Sequence, residues 1–180
     1  MKFSELVQQR FSARKYIDKP VEREKINQCL ESARLAPSAS NSQPWRFFVV
    51  DDPDLVQSVA VETYSKLIAF NKFVSNARAI VVMLIEKPKL ITQIGGKIKN
   101  KEYPLIDIGI AAGHFCLQAT ELGLGTCMLG WFNEKAIKEI LNIPKNKTIG
   151  LLISIGYPDY KNQPVKNRKS FDDIVSYNKF

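Results

Sequence analysis

The chain has 180 residues, 45% of them apolar, enough for one domain with a buried core. Its 26 basic and 18 acidic side chains leave a net charge of +8, which suits nucleic acid, an acidic membrane surface or a phosphorylated small molecule. No apolar run is long enough to span a bilayer, residues 1–5 lack the apolar core of a signal peptide, and no stretch has a helix-turn-helix, zinc-finger or single-strand-binding signature. Three cysteines without an export signal point to a reducing cytoplasm, with Cys29 and Cys116 as small buried hydrophobes on apolar helical faces. The one histidine, His114, lies inside an apolar helix and has no metal-site spacing, so neither a metal centre nor a Ser-His-Asp site is expected.

In chain order, residues 5–9 read as a short helix leading into Arg10-Phe11-Ser12-Ala13-Arg14-Lys15-Tyr16. If that piece is extended, its period of two places Arg10, Ser12 and Arg14 on one face. Two guanidinium groups flanking a hydroxyl suit a phosphate or an electron-rich ring edge, and they equally suit a solvated basic turn. Residues 20–35 form the next helix, with Pro20 near its start, Glu22 and Glu24 at the positive end of its dipole, and Ile26, Cys29, Leu30 and Ala33 as its buried stripe. Pro37 ends it, because neither proline nor the residue before it continues the helical ladder. Between Pro37 and Pro44, Ser38, Ser40, Asn41, Ser42 and Gln43 are more hydroxyl and amide side chains than one turn needs, although they also suit a plain helix-to-strand connection.

Phe47-Phe48-Val49-Val50 reads as a strand, and Asp51-Asp52-Pro53-Asp54 caps a helix running to about residue 67. Residues 79–85 are a continuous apolar run, the pattern of a central strand buried on both faces. Residues 87–103 hold Lys87, Lys89, Lys97, Lys99 and Lys101 around Gly95-Gly96, and this stretch reads as a mobile basic loop, solvated or bordering a substrate opening. The helix over 103–122 is apolar nearly all round, so it must be covered on all sides. Gly109, Ala112, Gly113 and Cys116 recur at spacings of three and four and let another helix approach, at the centre of the fold or at a homodimer seam. Glycines at 123 and 125 end that helix and begin a short extended piece; Asn133 then caps a helix to 141, and a strand follows over 147–155. The tail carries Lys161, Lys166, Arg168 and Lys169.

Four of these segments, in this order, resemble the FMN-dependent nitroreductase family: Arg10-Phe11-Ser12-Ala13-Arg14, the run Ala36-Pro37-Ser38-Ala39-Ser40-Asn41-Ser42-Gln43-Pro44-Trp45, Gly123-Leu124-Gly125-Thr126-Cys127-Met128-Leu129-Gly130, and the basic tail. The resemblance implies an α+β fold with a mixed central sheet flanked by helices, in a single domain over 1–180. It further implies an intertwined homodimer, with an arm over 158–180 packing on the partner. It implies that Arg10 and Ser12 hold the phosphate and ribityl chain of FMN and that Arg14 lies at the pyrimidine edge. Phe11 stands where the family usually has a basic residue, so only its backbone would serve. Pro37, Ser38, Ala39 and Asn41 would reach across the interface to a flavin held mainly by the other subunit. Met128, Leu129 and Gly130 would pass beside the reactive N5, with Leu129 as the N–H donor. Asn71 would bond the flavin ring, although a helix-end amide fits it equally. Lys166 and Arg168 would complete the phosphate site. The implied activity is ping-pong: NAD(P)H reduces bound FMN, then a nitroaromatic, quinone or similar small acceptor is reduced, with no side chain as acid or base. A relative using FMN for dehalogenation, or a basic nucleic-acid-binding module, stand as the alternatives.

Overall fold

The computed structural model describes residues 2–65, 67, 69–162 and 164–179. The elements run α1 (Phe3–Gln9), α2 (Arg23–Arg34), β1 (Trp45–Val50), α3 (Pro53–Val61), β2 (Ala79–Ile85), α4 (Leu90–Lys99), α5 (Tyr103–Glu121), β3 (Gly125–Leu129), α6 (Glu134–Ile140) and β4 (Thr148–Gly156). The four strands lie in the order β1-β2-β4-β3, and every neighbouring pair is antiparallel.

The centre of the sheet follows from the side-chain alternation of a strand. In β2, Ala79, Val81 and Met83 face one core with Ile26, Cys29 and Ala33 of α2 and with Ala112, Phe115 and Cys116 of α5. Ile80, Val82 and Leu84 face the other, with Val56 and Val59 of α3 and Ile137 of α6. Both sheet faces are therefore covered by helices, which is why this strand carries no polar residue. The helix ends follow their capping chemistry. Asp52 accepts the Leu55 N–H at 3.0 Å and Asn133 accepts the Ala136 N–H at 3.3 Å, each satisfying a first-turn donor that has no partner inside its helix.

The expected mixed sheet is corrected to an antiparallel one. Among the described residues, parallel pairing is confined to a single bridge between Ser12 and Thr126. It extends no further because the chain turns after Ala13 N–H bonds the Thr126 carbonyl at 2.9 Å, and Tyr16 then pairs antiparallel with Pro158. The expected mobile loop over 87–103 is corrected too, since residues 90–99 form α4. Gly95-Gly96 looked like loop punctuation, but Gly96 is required by packing. A Cβ there would sit 2.7 Å from the Lys101 carbonyl oxygen, which folds back where Asn100 (φ 49°) ends the helix. Two helix bounds also differ. The second helix begins at Arg23 with Glu22 as its N-cap, leaving Pro20 outside, and the third ends at Val61 rather than near residue 67.

Candidate functional site

Arg10 follows α1 in extended conformation, its N–H closing the helix on the Leu6 carbonyl at 2.9 Å. Beyond it, Ala13 and Tyr16 turn inward and bury, and the Tyr16 hydroxyl donates to the Ala13 carbonyl at 2.9 Å and bonds Ser154 Oγ at 2.9 Å. Burial raises the Tyr16 pKa well above the ordinary tyrosine value, so it anchors as a neutral phenol. With those two residues inside, Arg10, Phe11, Ser12 and Arg14 line an open cleft of about 340 Å³ together with Lys166 and Arg168 from the tail. Six of the expected contact residues, from opposite ends of the chain, thus share one cavity.

A second residue holds the two ends together, and the sequence did not reveal it. Tyr160 lines the same cleft, packs edge-on against Phe11 with ring centroids 5.0 Å apart, and accepts the Arg14 N–H at 2.8 Å. Its signal would have been a lone aromatic in a basic tail, which resembles any other surface tyrosine.

The cleft is electrostatically unbalanced. Of the four arginines elsewhere, three find acids, Arg23 with Asp51, Arg34 with Glu31 and Arg78 with Asp18, whereas Arg46 has no ion pair among the described residues. Among the described residues, Arg10, Arg14, Lys166 and Arg168 have no carboxylate within ion-pair distance. Lys166 donates to the Val7 carbonyl at 2.6 Å and Arg168 to the Asn167 carbonyl at 2.7 Å, both neutral acceptors. Partial burial, then the nearby charges of Arg10 and Arg168, hold the Lys166 ammonium below the usual lysine range. A dianionic phosphate would relieve that repulsion, and the donors present suit it.

Arg10 and Ser12 also border a neighbouring cavity of about 410 Å³, whose walls include Met128, Thr126, Cys116 and Gly113. Thr126 Oγ1 is buried there without a hydrogen-bond partner among the described residues. Two adjoining spaces sharing a cationic wall suit a ligand with an anionic end and a flat body. Leu129 is buried in the core of α3 and α6 and pairs with Leu152, while Gly130 follows it with open space beside its Cα. Asn71 stands apart from both cavities: it is buried, and its Nδ2 donates to the Trp131 carbonyl at 3.2 Å.

Pro37, Ser38, Ala39 and Asn41 line neither cavity of their own chain. Their loop is held in an unusual shape, with Ser40, Asn41 and Gln43 at φ 51°, 49° and 47°. Each such residue carries a Cβ and costs about 1 kcal/mol in the left-handed region. Internal bonds offset this in part: Ser38 Oγ accepts the Gln43 N–H at 2.9 Å and Asn41 Oδ1 accepts from Gln43 Nε2 at 3.0 Å. Beside the loop runs the unpaired face of α5, where Leu105 and Ile106 are about half exposed and Gly109 and Gly113 have open space beside them.

His114 is half-buried rather than interior, its Nδ1 3.3 Å from the Ser32 carbonyl, and no metal-binding cluster occurs among the described residues. The three thiols are free; burial pushes Cys29 up to about 12 and Cys116 up to about 11, leaving both inert at neutral pH.

An antiparallel sheet between two helical layers, with a carboxylate-free cationic cleft joining the chain ends, defines a nitroreductase-like α+β protein. The chain belongs to the Nitroreductase family, whose model matches residues 7–157. The FMN-dependent nitroreductase of Clostridium difficile R20291 superposes with a TM-score of 0.77 at 29% identity, covering 97% of this chain and 98% of that one. The oxygen-insensitive NADPH nitroreductase of Helicobacter acinonychis (strain Sheeba) is 28% identical over 188 residues, 86% of this chain and 85% of its own. Iodotyrosine deiodinase 1 of Sus scrofa is 28% identical over 194 residues, 96% of this chain and 67% of its own. These relatives make the class an oxidoreductase.

Proposed function

We propose that two copies of this chain, each a single domain over 1–180, form a homodimer that binds FMN at its interface and uses NAD(P)H to reduce a small electron-poor acceptor such as a nitroaromatic or quinone. The observation that carries this reading is the cleft in which Arg10, Ser12, Lys166 and Arg168 meet without an acid. FMN, when bound, supplies the hydride-transfer chemistry. The chain's own residues bind and orient. Arg10, Ser12, Lys166 and Arg168 take the phosphate and ribityl end, while Arg14 places positive charge where reduction builds negative charge. Phe11 contributes backbone, Met128 borders the second cavity, and Leu129 and Gly130 would offer main-chain groups where the strand leaves it. Asn71, whose Nδ2 keeps a second hydrogen beyond the one given to the Trp131 carbonyl, would offer that hydrogen to the ring.

The dimer enters because the loop of Pro37, Ser38, Ala39 and Asn41 lies outside its own chain's cavities, beside an uncovered face of α5. A twofold seam along Gly109 and Gly113 would bring the loop of one copy to the cleft of the other. Of the expected 158–180 arm, Pro158, Tyr160, Lys166 and Arg168 pack on their own chain, and the part beyond them would pack on the partner. Donor and acceptor then use the same flavin face in turn. No helix among the described residues is long and apolar enough to cross a membrane, and the free thiols fit the cytoplasm.

Purified protein tests this directly. A yellow preparation whose flavin absorbance bleaches anaerobically with NADH or NADPH, and returns on adding a nitroaromatic, is expected. A colourless protein that takes up no FMN would reject the reading and favour a basic nucleic-acid-binding module. The similarity to iodotyrosine deiodinase 1 along nearly the whole chain supports a second reading, reductive dehalogenation on the same site. An anaerobic screen of nitroaromatic, quinone and halophenol acceptors separates the two.

A further inference from the structure

The loop over residues 37–44 is gripped at one point from two sides. Asp107, near the start of α5 and 3% exposed, accepts the Ala39 N–H on Oδ1 at 3.1 Å. Thr92, in the first turn of α4 and 4% exposed, donates its hydroxyl to the Ala39 carbonyl at 3.3 Å. Because that proton is committed, Ser42 Oγ donates to Thr92 Oγ1 at 2.7 Å and in turn takes the Lys89 N–H at 3.4 Å. Lys89 Nζ reaches the Ser40 carbonyl at 3.2 Å. All hydroxyl protons run in one direction, from α4 through Ser42 and Thr92 to the Ala39 peptide.

Asp107 pays poorly as a stabilising residue. Its Oδ2 is buried without a hydrogen-bond partner among the described residues, and a buried carboxylate half satisfied is worse for stability than an apolar side chain of similar size. What it provides is position. Ser40, Asn41 and Gln43 all sit in the left-handed region, and a loop so disposed relaxes unless neighbouring structure holds it.

We propose that Asp107 and Thr92 are positioning residues that clamp the Ala39 peptide between α5 and α4 and thereby set how Pro37, Ser38 and Asn41 are presented. The consequence for catalysis rests on the dimeric flavin site described above; the clamp itself does not. It also couples α4 to the loop, so whatever displaces α4 changes the loop's shape.

The test uses the full-length protein in four variants. Thr92→Val and Asp107→Leu delete the bonds with little change in volume; Thr92→Ser and Asp107→Asn keep them. Hydrogen exchange of the amides from Ala39 to Gln43 is followed without flavin, and FMN release is followed in the loaded protein. Exchange about tenfold faster in Thr92→Val and Asp107→Leu, at a melting temperature close to wild type, with Thr92→Ser and Asp107→Asn behaving as wild type, is the expected result. Wild-type exchange in both deleting variants overturns the clamp, and so does acceleration that the conservative variants share, because packing rather than hydrogen bonding would then be responsible. If Asp107→Leu fails to fold, the Thr92 pair carries the same comparison. Accelerated exchange with unchanged FMN release supports the clamp and removes the loop from the flavin site.

Discussion

The ring of Phe11 meets the ring of Tyr160 edge-on at 5.0 Å, and the Tyr160 hydroxyl accepts the Arg14 N–H at 2.8 Å. One tail residue thereby ties the basic segment after α1 to the basic segment that ends the chain. Tyr160→Phe removes only the hydroxyl and should cost about 1 kcal/mol, whereas Tyr160→Ala also removes the ring pair and should cost about 2 kcal/mol. Urea denaturation measures both, and the alanine variant should additionally bind FMN more weakly because the two cationic segments lose their common brace.

Arg168→Ala should weaken FMN binding about 10- to 100-fold, the effect of one charge-assisted hydrogen bond worth roughly 1.5–3 kcal/mol, while leaving the oligomeric state unchanged. Flavin fluorescence titration and sedimentation velocity check the two halves separately. Unchanged flavin affinity would take Arg168 out of the site.

Burial of Lys166, and after it charge repulsion in the cleft, sets a pH dependence. Burial, followed by Arg10 and Arg168, holds Lys166 below its ordinary value of 10.5. A base whose folded pKa is lowered binds fewer protons folded than unfolded. The ligand-free protein therefore carries a penalty at neutral pH that is relieved as pH rises through the window between the lowered value and 10.5. Lys166→Met should flatten that rise in melts carried up through alkaline pH to 10.5. At neutral pH, inorganic phosphate should stabilise the wild type more than chloride of equal ionic strength, and Lys166→Met should reduce the difference.

The α5 face gives a test of the seam. Nothing lies within 4 Å of the position a Cβ would take at Gly109, so Gly109→Leu fits the isolated chain and improves its helix propensity by about 0.8 kcal/mol. A helix packed against that glycine in a second copy would be pushed away. Light scattering should show a folded monomer with unchanged helical circular dichroism and reduced FMN content. A dimer as tight as wild type would place the seam elsewhere.

Local chemistry made much of this legible in advance. The run over 79–85 is the strand Ala79–Ile85, because an unbroken apolar sequence has no other stable fate than burial on both faces. Asp52 and Asn133 cap their helices as their side chains dictate. The α4 helix escaped notice because Gly95-Gly96 carries the lowest helical propensity short of proline, and only the approach of the Lys101 carbonyl explains Gly96. Tyr160, Thr92 and Asp107 escaped for a shared reason: their partners Phe11, Arg14 and Ala39 lie far away in sequence.

By itself the sequence determined most of the helices and strands, though not α4 nor where α2 begins and α3 ends, and it placed basic residues at both ends of the chain. These depend on backbone dihedral preference, hydrophobic period and formal charge, all properties of neighbours along the chain. Tertiary structure alone decided that Arg10 and Arg168 share one cleft, that the sheet is antiparallel throughout, and that Ala39 is held between two helices. Those outcomes depend on which distant surfaces pack together, and packing is set by shape and burial across the whole fold.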